Sequence, residues 1–275
     1  MGFAYAATEG AAHSEELSVG NAILHHVQDT KVFDLWPLEP IHLTSIHLFG
    51  IDFSITKHLV MMWIASLLLV LLFKFALRHR GPVPRGISNL LEAIVVFLRD
   101  EVILPAMGEA GKRYVPYLLT VFFFILFCNL LGLVPYSATA TGNVTVTAAL
   151  ALISLFMIQL GGIREHGLVH HYQNLVPHGI PVWLLPIMIP VEIMGQLTKP
   201  FALCIRLFAN MTAGHIVILS FLGLIAILKT IVIAPVSVAF ALFISLLELF
   251  IAFLQAYIFT MLTALFMGMA IHPEH

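Results

Sequence analysis

Charge is what this sequence has least of. Only 10% of its 275 residues are charged, against about 25% in an ordinary soluble domain, while 60% are hydrophobic and the mean hydropathy is +0.99. That balance excludes a water-soluble enzyme of this size. A formal charge of -2 with no basic run also excludes a disordered chain or a nucleic-acid-binding protein. Cysteine is equally scarce. Cys128 and Cys204 both lie in apolar runs, and no CxxC spacing appears, so no covalent framework is expected. The opening residues lack the basic start and apolar block of a secretory signal, so the first span is expected to act as its own insertion signal. The solvent for most of this chain is lipid.

What the sequence has in abundance is long apolar runs. Residues 1–57 are mixed and acidic, with seven Asp/Glu against Lys31 and Lys57, and nothing in them spans a membrane. They are expected to form an extracytoplasmic or interfacial tail. Residues 58–275 are expected to form a single integral membrane domain with spans near 58–77, 117–136, 144–163, 181–227 and 235–271. Residues 86–106 are apolar but carry Glu92, Arg99, Asp100 and Glu101, which points to an interfacial or shallow hairpin helix between the first two spans. The fold class is therefore an all-α polytopic membrane protein.

The last two segments are too long for an upright crossing. At 1.5 Å per residue, unbroken helices would reach roughly 70 and 55 Å, against a hydrocarbon core about 30 Å thick. They must be tilted, kinked or partly outside the bilayer, and Pro181, Pro186, Pro190 and Pro200 offer kinks in the first. If the spans alternate, Arg78, Arg80, Arg85, Arg99, Lys112, Arg113 and Arg164 fall on one side and Lys31, Lys57 and Lys229 on the other. The positive-inside rule then places the N-terminus outside and the C-terminus in the cytoplasm.

Polar residues inside such segments are costly and are functional candidates by default. The two long segments hold Glu192, Lys199, Arg206, His215 and Glu248, plus the amides Gln196, Asn210 and Gln255. Arg206 stands out because no carboxylate lies within two helical turns, and arginine stays protonated even when buried. Something outside its segment must supply the anion. Asn210, four residues on, shares its face, and Lys199 and Glu192 lie about 20° and 40° off it. Glu248 and Gln255, seven apart, share a face of the last segment.

Folding the two segments as an antiparallel hairpin about residue 231 puts Arg206 level with Gln255, and His215 level with Glu248 about 10–14 Å nearer the outer side. A His–Glu pair at one depth suits a protonatable relay, since histidine titrates near neutral pH. His215 lies about 180° around the helix from Arg206, which suggests a path leading toward a fixed cation. The weaker signals have blander readings. Asn210, Gln196 and Gln255 are also the kind of polar residue that glues membrane helices. Lys199 suits snorkelling or local pairing. His166, His170 and His171 have metal-ligand spacing but no firm third ligand, and are expected to lie in a solvated loop with no metal.

At this point a resemblance becomes specific. KPFALCIRLFANMTAGH, followed about forty residues later by ELFIAFLQAYIFTMLT, resembles subunit a of rotary ATP synthases, the stator of the membrane sector. FCNLLGLVPYSATATGNVTVTAALAL and GPVPRGISNLLEAIVVFLRDEV resemble other parts of the same family, so the likeness covers about residues 55–271. The resemblance implies that Arg206 is the essential arginine facing the carboxylates of a rotating c-ring. It further implies two half-channels on opposite sides of that arginine, with His215, Glu248, Asn210, Gln255 and Glu192 along them. The c-ring and subunit b would be partners, together with lipid and protons. No cofactor or nucleic acid is implied, and the most fitting location is a bacterial inner membrane.

Two positions depart from the commoner family pattern. Many members carry a carboxylate where His215 stands and a histidine where Glu248 stands; the double exchange preserves the pair. Many also carry an acidic residue at Gly132, which weakens an outer-channel role for the second span. Alternatives from other classes fit less well. A cytochrome b would need paired axial histidines in its spans, and only His58 and His215 lie there. A secondary transporter would show repeated halves, and none is visible. A purely structural anchor would tolerate Arg206→Ala. The His–Glu pair favours H⁺ over Na⁺ as the transported ion.

Overall fold

A computed structural model of the chain describes residues 56–76, 78, 86–134, 139–173, 185–228 and 233–272, plus four two-residue strands before residue 53. The strands form two short antiparallel ladders, Val32–Phe33 (β1) with Ile41–His42 (β2), and His47–Leu48 (β3) with Ile51–Asp52 (β4). The remainder of the expected interfacial tail lies outside the described residues, as does Pro181.

The described residues that follow are mostly helical. Among the described residues five helices are long and apolar enough to cross a membrane. They are Lys57–Ala76 (α1), Val115–Gly132 (α4), Val144–His166 (α5), Leu185–Leu228 (α7) and Ala234–Ile271 (α8). Between α1 and α4 runs a non-spanning helical stretch. Ile87–Phe97 (α2) passes through a π-helical turn, Leu98–Ile103, into Leu104–Met107 (α3) and a 3₁₀ segment, Gly108–Arg113. The π turn carries Arg99, Asp100 and Glu101, so polar residues that argued against a span sit where the helix is locally widened, with i→i+5 bonds in place of i→i+4. Arg99 Nε donates to Asp100 Oδ1 at 2.7 Å, and that neighbour holds the exposed Asp100 carboxyl below its ordinary range.

α7 is continuous over 44 residues and carries both Pro190 and Pro200 inside it. At 1.5 Å per residue α7 and α8 extend about 66 and 57 Å, so length alone forces them off the bilayer normal or beyond the hydrocarbon.

The chain divides into two compact units. One unit, residues 65–127, 144–207 and 253–275, has a core of Ile103, Met107, Tyr114, Leu118, Met267 and Ile271 among others. Small residues let its helices approach. A Cβ on Gly268 would strike the carbonyl oxygen of Ala106, so α8 can meet α3 only with glycine there. Ser88 Oγ donates to the Ala76 carbonyl at 2.7 Å, satisfying the last turn of α1, and Gly86 turns into α2 with φ +63°, a left-handed value that disfavours other residues.

The other unit comprises residues 1–64, 128–143 and 208–252. Within it α7 and α8 run antiparallel: His215 meets Glu248, and Phe221 stacks on Phe240 with ring centroids 5.5 Å apart.

Candidate functional site

In the unit that holds the α7–α8 hairpin, Glu248 is buried, 2% exposed, and no other Asp, Glu, Lys or Arg lies on α8. Its Oε1 lies 3.4 Å from His215 Nδ1, and its Oε2 has no hydrogen-bond partner among the described residues. The carboxyl fits because residue 214 is glycine. A Cβ there would come within 2.8 Å of Glu248 Oε1 and 2.9 Å of Cδ. The pairing read from hairpin arithmetic is therefore a contact, with space for it left by the residue before His215.

The same unit adds polar groups that the sequence reading passed over. Asn129, at the end of α4, is fully buried; it accepts from Thr141 Oγ1 at 2.6 Å and donates through Nδ2 to the Ala252 carbonyl at 3.3 Å. Ala252 is one helical turn beyond Glu248, so α4 supplies a polar side chain close to the helical turn that bears the carboxyl. Thr212 Oγ1 donates to the Gly142 carbonyl at 3.4 Å, and His58 Nδ1, 3.0 Å from the Thr139 carbonyl, donates to it. Asn129 is visible in the sequence as an amide within an apolar span, but which groups it meets is not. Gly132 is itself explained by packing: the Thr139 side chain occupies the place where a Cβ would stand, so no acidic side chain fits there.

In the other unit Arg206 stands exposed on α7, while Leu203 and Leu207 beside it are buried. No hydrogen bond or ion pair to Arg206 is formed among the described residues. A permanently charged guanidinium thus projects from α7 with no carboxylate against it among the described residues. Gln255 on α8 is buried, 1% exposed. Lys199 is held with its Nζ 5.0 Å over the Phe266 ring, a cation–π contact that supplies the expected local pairing. Asn210 is exposed on α7, and Glu192 lies on the same helix, its side chain outside the described residues.

The family model described as ATP synthase A chain matches residues 59–268. The chain belongs to that family. It is 52% identical over 259 residues to the ATP synthase subunit a of Chloroherpeton thalassium, covering 92% of this chain and 77% of that one. It is 56% identical over 229 residues to the subunit a of Myxococcus xanthus, covering 82% and 75%. Against the "ATP synthase subunit a 2" of Chlorobaculum tepidum the identity is 48% over 275 residues, covering 98% and 78%. As an ATP synthase subunit a it is a multi-pass component of the membrane sector, and not an enzyme on its own.

One expectation is corrected. The His166, His170, His171 stretch is not a solvated loop. His166 closes α5 and lies 2.7 Å from the Ile271 carbonyl through Nε2, while His170 and His171 belong to a short helix, Leu168–Gln173 (α6). His171 is buried, its Nε2 2.8 Å from Gln159 Oε1. Among the described residues no group of three His, Cys, Asp or Glu could hold a metal ion. Periodicity missed this corner because Gly167, at φ +77°, breaks α5 after His166 and folds α6 back on it.

Proposed function

We propose that this ATP synthase subunit is the proton-translocating stator of the membrane sector, with Arg206 facing the carboxylates of a rotating c-ring. One observation carries the reading: a guanidinium exposed on an apolar 44-residue helix, with no anion against it among the described residues. Arginine cannot shed its charge, and an unpaired charge in hydrocarbon costs several kcal/mol. A carboxylate arriving on another chain removes that cost, and the guanidinium in turn favours the ionised form of the carboxylate, so each arriving site loses its proton there. The fixed positive charge also repels a proton that would otherwise leak straight past it.

The protons need two routes, one from each side, that do not meet. His215 and Glu248 would carry protons along the outer route, since an imidazole and a carboxyl meet there. Asn210 and Gln255 would orient groups near Arg206, and Glu192 would serve the inner route. Subunit b is the expected stationary partner, and the long helices α7 and α8 would lie along the curved ring. The basic residues at 78, 99, 112, 113 and 164 support a cytoplasmic C-terminus in a bacterial inner membrane. A histidine facing a single carboxyl favours H⁺ over Na⁺, which prefers several oxygen ligands.

The test is ATP-driven proton pumping in inverted membranes carrying Arg206→Ala, Arg206→Lys or the parent. Both variants should assemble and fail to pump, because lysine offers neither the planar guanidinium nor its permanent charge. Normal pumping by Arg206→Ala would make the arginine structural and end this reading.

A further inference from the structure

Three side chains from three helices form a hydrogen-bonded thread in the unit that carries Arg206. His171 on α6 donates from Nε2 to Gln159 Oε1 on α5 at 2.8 Å, and Gln159 Nε2 donates to Gln196 Oε1 on α7 at 2.7 Å. Chains of side chain–side chain bonds are a small minority of protein hydrogen bonds. This one begins at the short helix beyond the end of α5 and ends inside the apolar run of α7, ten residues before Arg206 and one turn beyond Glu192. The site is built for the imidazole: a Cβ on Gly162 would collide with the His171 ring, so glycine makes the seat.

We propose that His171, Gln159 and Gln196 form the mouth of the inner half-channel, with His171 exchanging protons with the inner aqueous phase and the two amides holding its ring in place. The inference rests on the stator reading above and names residues of its inner route. In each exchange a water-borne proton bonds to the imidazole, giving an imidazolium, and the ring then returns a proton to water on the channel side and is neutral again. The amides carry no charge and only fix the ring's orientation.

The surroundings suit a group that is neutral at rest and charges transiently. Burial and the neighbouring His166 hold the His171 imidazole below its ordinary value. His166 is the titratable group that acts on it among the described residues. From α7 the thread meets the uncharged Gln196 amide, with Lys199 turned onto the Phe266 ring, and from α8 the Ala270 backbone lies against Gly162 beside it.

The experiment measures passive proton conduction through the membrane sector in inverted membranes stripped of the ATP-hydrolysing sector, between about pH 5 and 8, where histidine titrates. The variants are His171→Gln, which can still hydrogen-bond but cannot titrate, and Gln196→Leu, which cuts the thread away from the histidine. Arg206→Ala pumping is measured alongside. The expected result is severalfold slower conduction in His171→Gln with its pH dependence flattened, and a shifted pH profile in Gln196→Leu. A His171→Gln complex with the parental pH profile, whatever its rate, makes the thread mere helix glue and overturns the inference. If His171→Gln does not assemble, a parental profile in Gln196→Leu overturns it instead. A parental His171→Gln profile beside a dead Arg206→Ala sinks only this inference, whereas a pumping Arg206→Ala sinks the stator reading beneath it.

Discussion

His215 Nδ1 lies 3.4 Å from Glu248 Oε1, a histidine and a carboxyl brought together from positions 33 residues apart. Most N–H···O bonds span about 2.7–3.2 Å, so this contact is loose. A loose pair can open to pass a proton, whereas a tight buried ion pair would hold one. The second carboxyl oxygen, unpartnered among the described residues, is a ready acceptor on the same group.

Removing either member should therefore cost transport more than assembly. His215→Ala and Glu248→Gln should each lower ATP-driven pumping at least about tenfold, below the roughly hundredfold that a positioned proton-transfer group commonly contributes. The exchanged variant, His215→Glu with Glu248→His, should pump better than either single change, because it keeps a titratable pair across the same gap. Equal loss in the exchanged and single variants would show that the groups act separately.

Gly214 sets the geometry of that pair. Gly214→Ala should leave the subunit in the membrane, since the atoms it meets are the mobile end of the Glu248 side chain, 2.8 and 2.9 Å from the new Cβ. The carboxyl must then turn away from His215, and pumping should fall while the amount of assembled complex stays near parental. Quantifying both in the same membranes decides it; parental pumping would mean that the contact is not needed.

Asn129 predicts a stability effect. Asn129→Leu removes the acceptor of Thr141 Oγ1 and the donor to the Ala252 carbonyl, leaving both buried without those partners. Each such bond in a membrane protein is worth about 0.6 to 2 kcal/mol. The thermal midpoint of the detergent-solubilised complex should drop, and an unchanged midpoint would show that the two bonds contribute nothing measurable.

The helix-packing glycine at 268 should tolerate least. Gly268→Ala drives a methyl into the Ala106 carbonyl, a backbone atom that cannot swing aside as a side chain can. Overpacking of this kind typically costs about 1–3 kcal/mol, occasionally more. Immunoblots of membranes should show much less of the subunit than the parent, with Gly195→Ala, where nothing lies within contact distance, unaffected.

The spans were legible because lipid imposes a simple rule. Without water to satisfy the backbone, an apolar run of sufficient length must be helical, and five long apolar helices are present among the described residues. The non-spanning stretch after α1 was legible for the converse reason, four ionisable groups in an otherwise apolar run. The His215–Glu248 pair was legible because a hairpin of two regular helices converts residue numbers into depth. Asn129, Thr141 and the His171–Gln159–Gln196 thread were not, since each joins helices whose rotation about their own axes no periodicity specifies.

The sequence by itself determined the class of protein, the number of long apolar helices, and the charges that have no business in hydrocarbon. Those follow from composition and spacing, which act locally along one chain. Only the tertiary structure decided which polar groups touch. Contact depends on how closely helices approach, and that is set by single missing side chains: Gly214 beneath the Glu248 carboxyl, Gly162 beneath the His171 ring and Gly268 against the Ala106 carbonyl. A glycine in an apolar run looks the same in sequence whether it seats a carboxyl, an imidazole or a backbone; the neighbour that fills its space comes from another part of the chain.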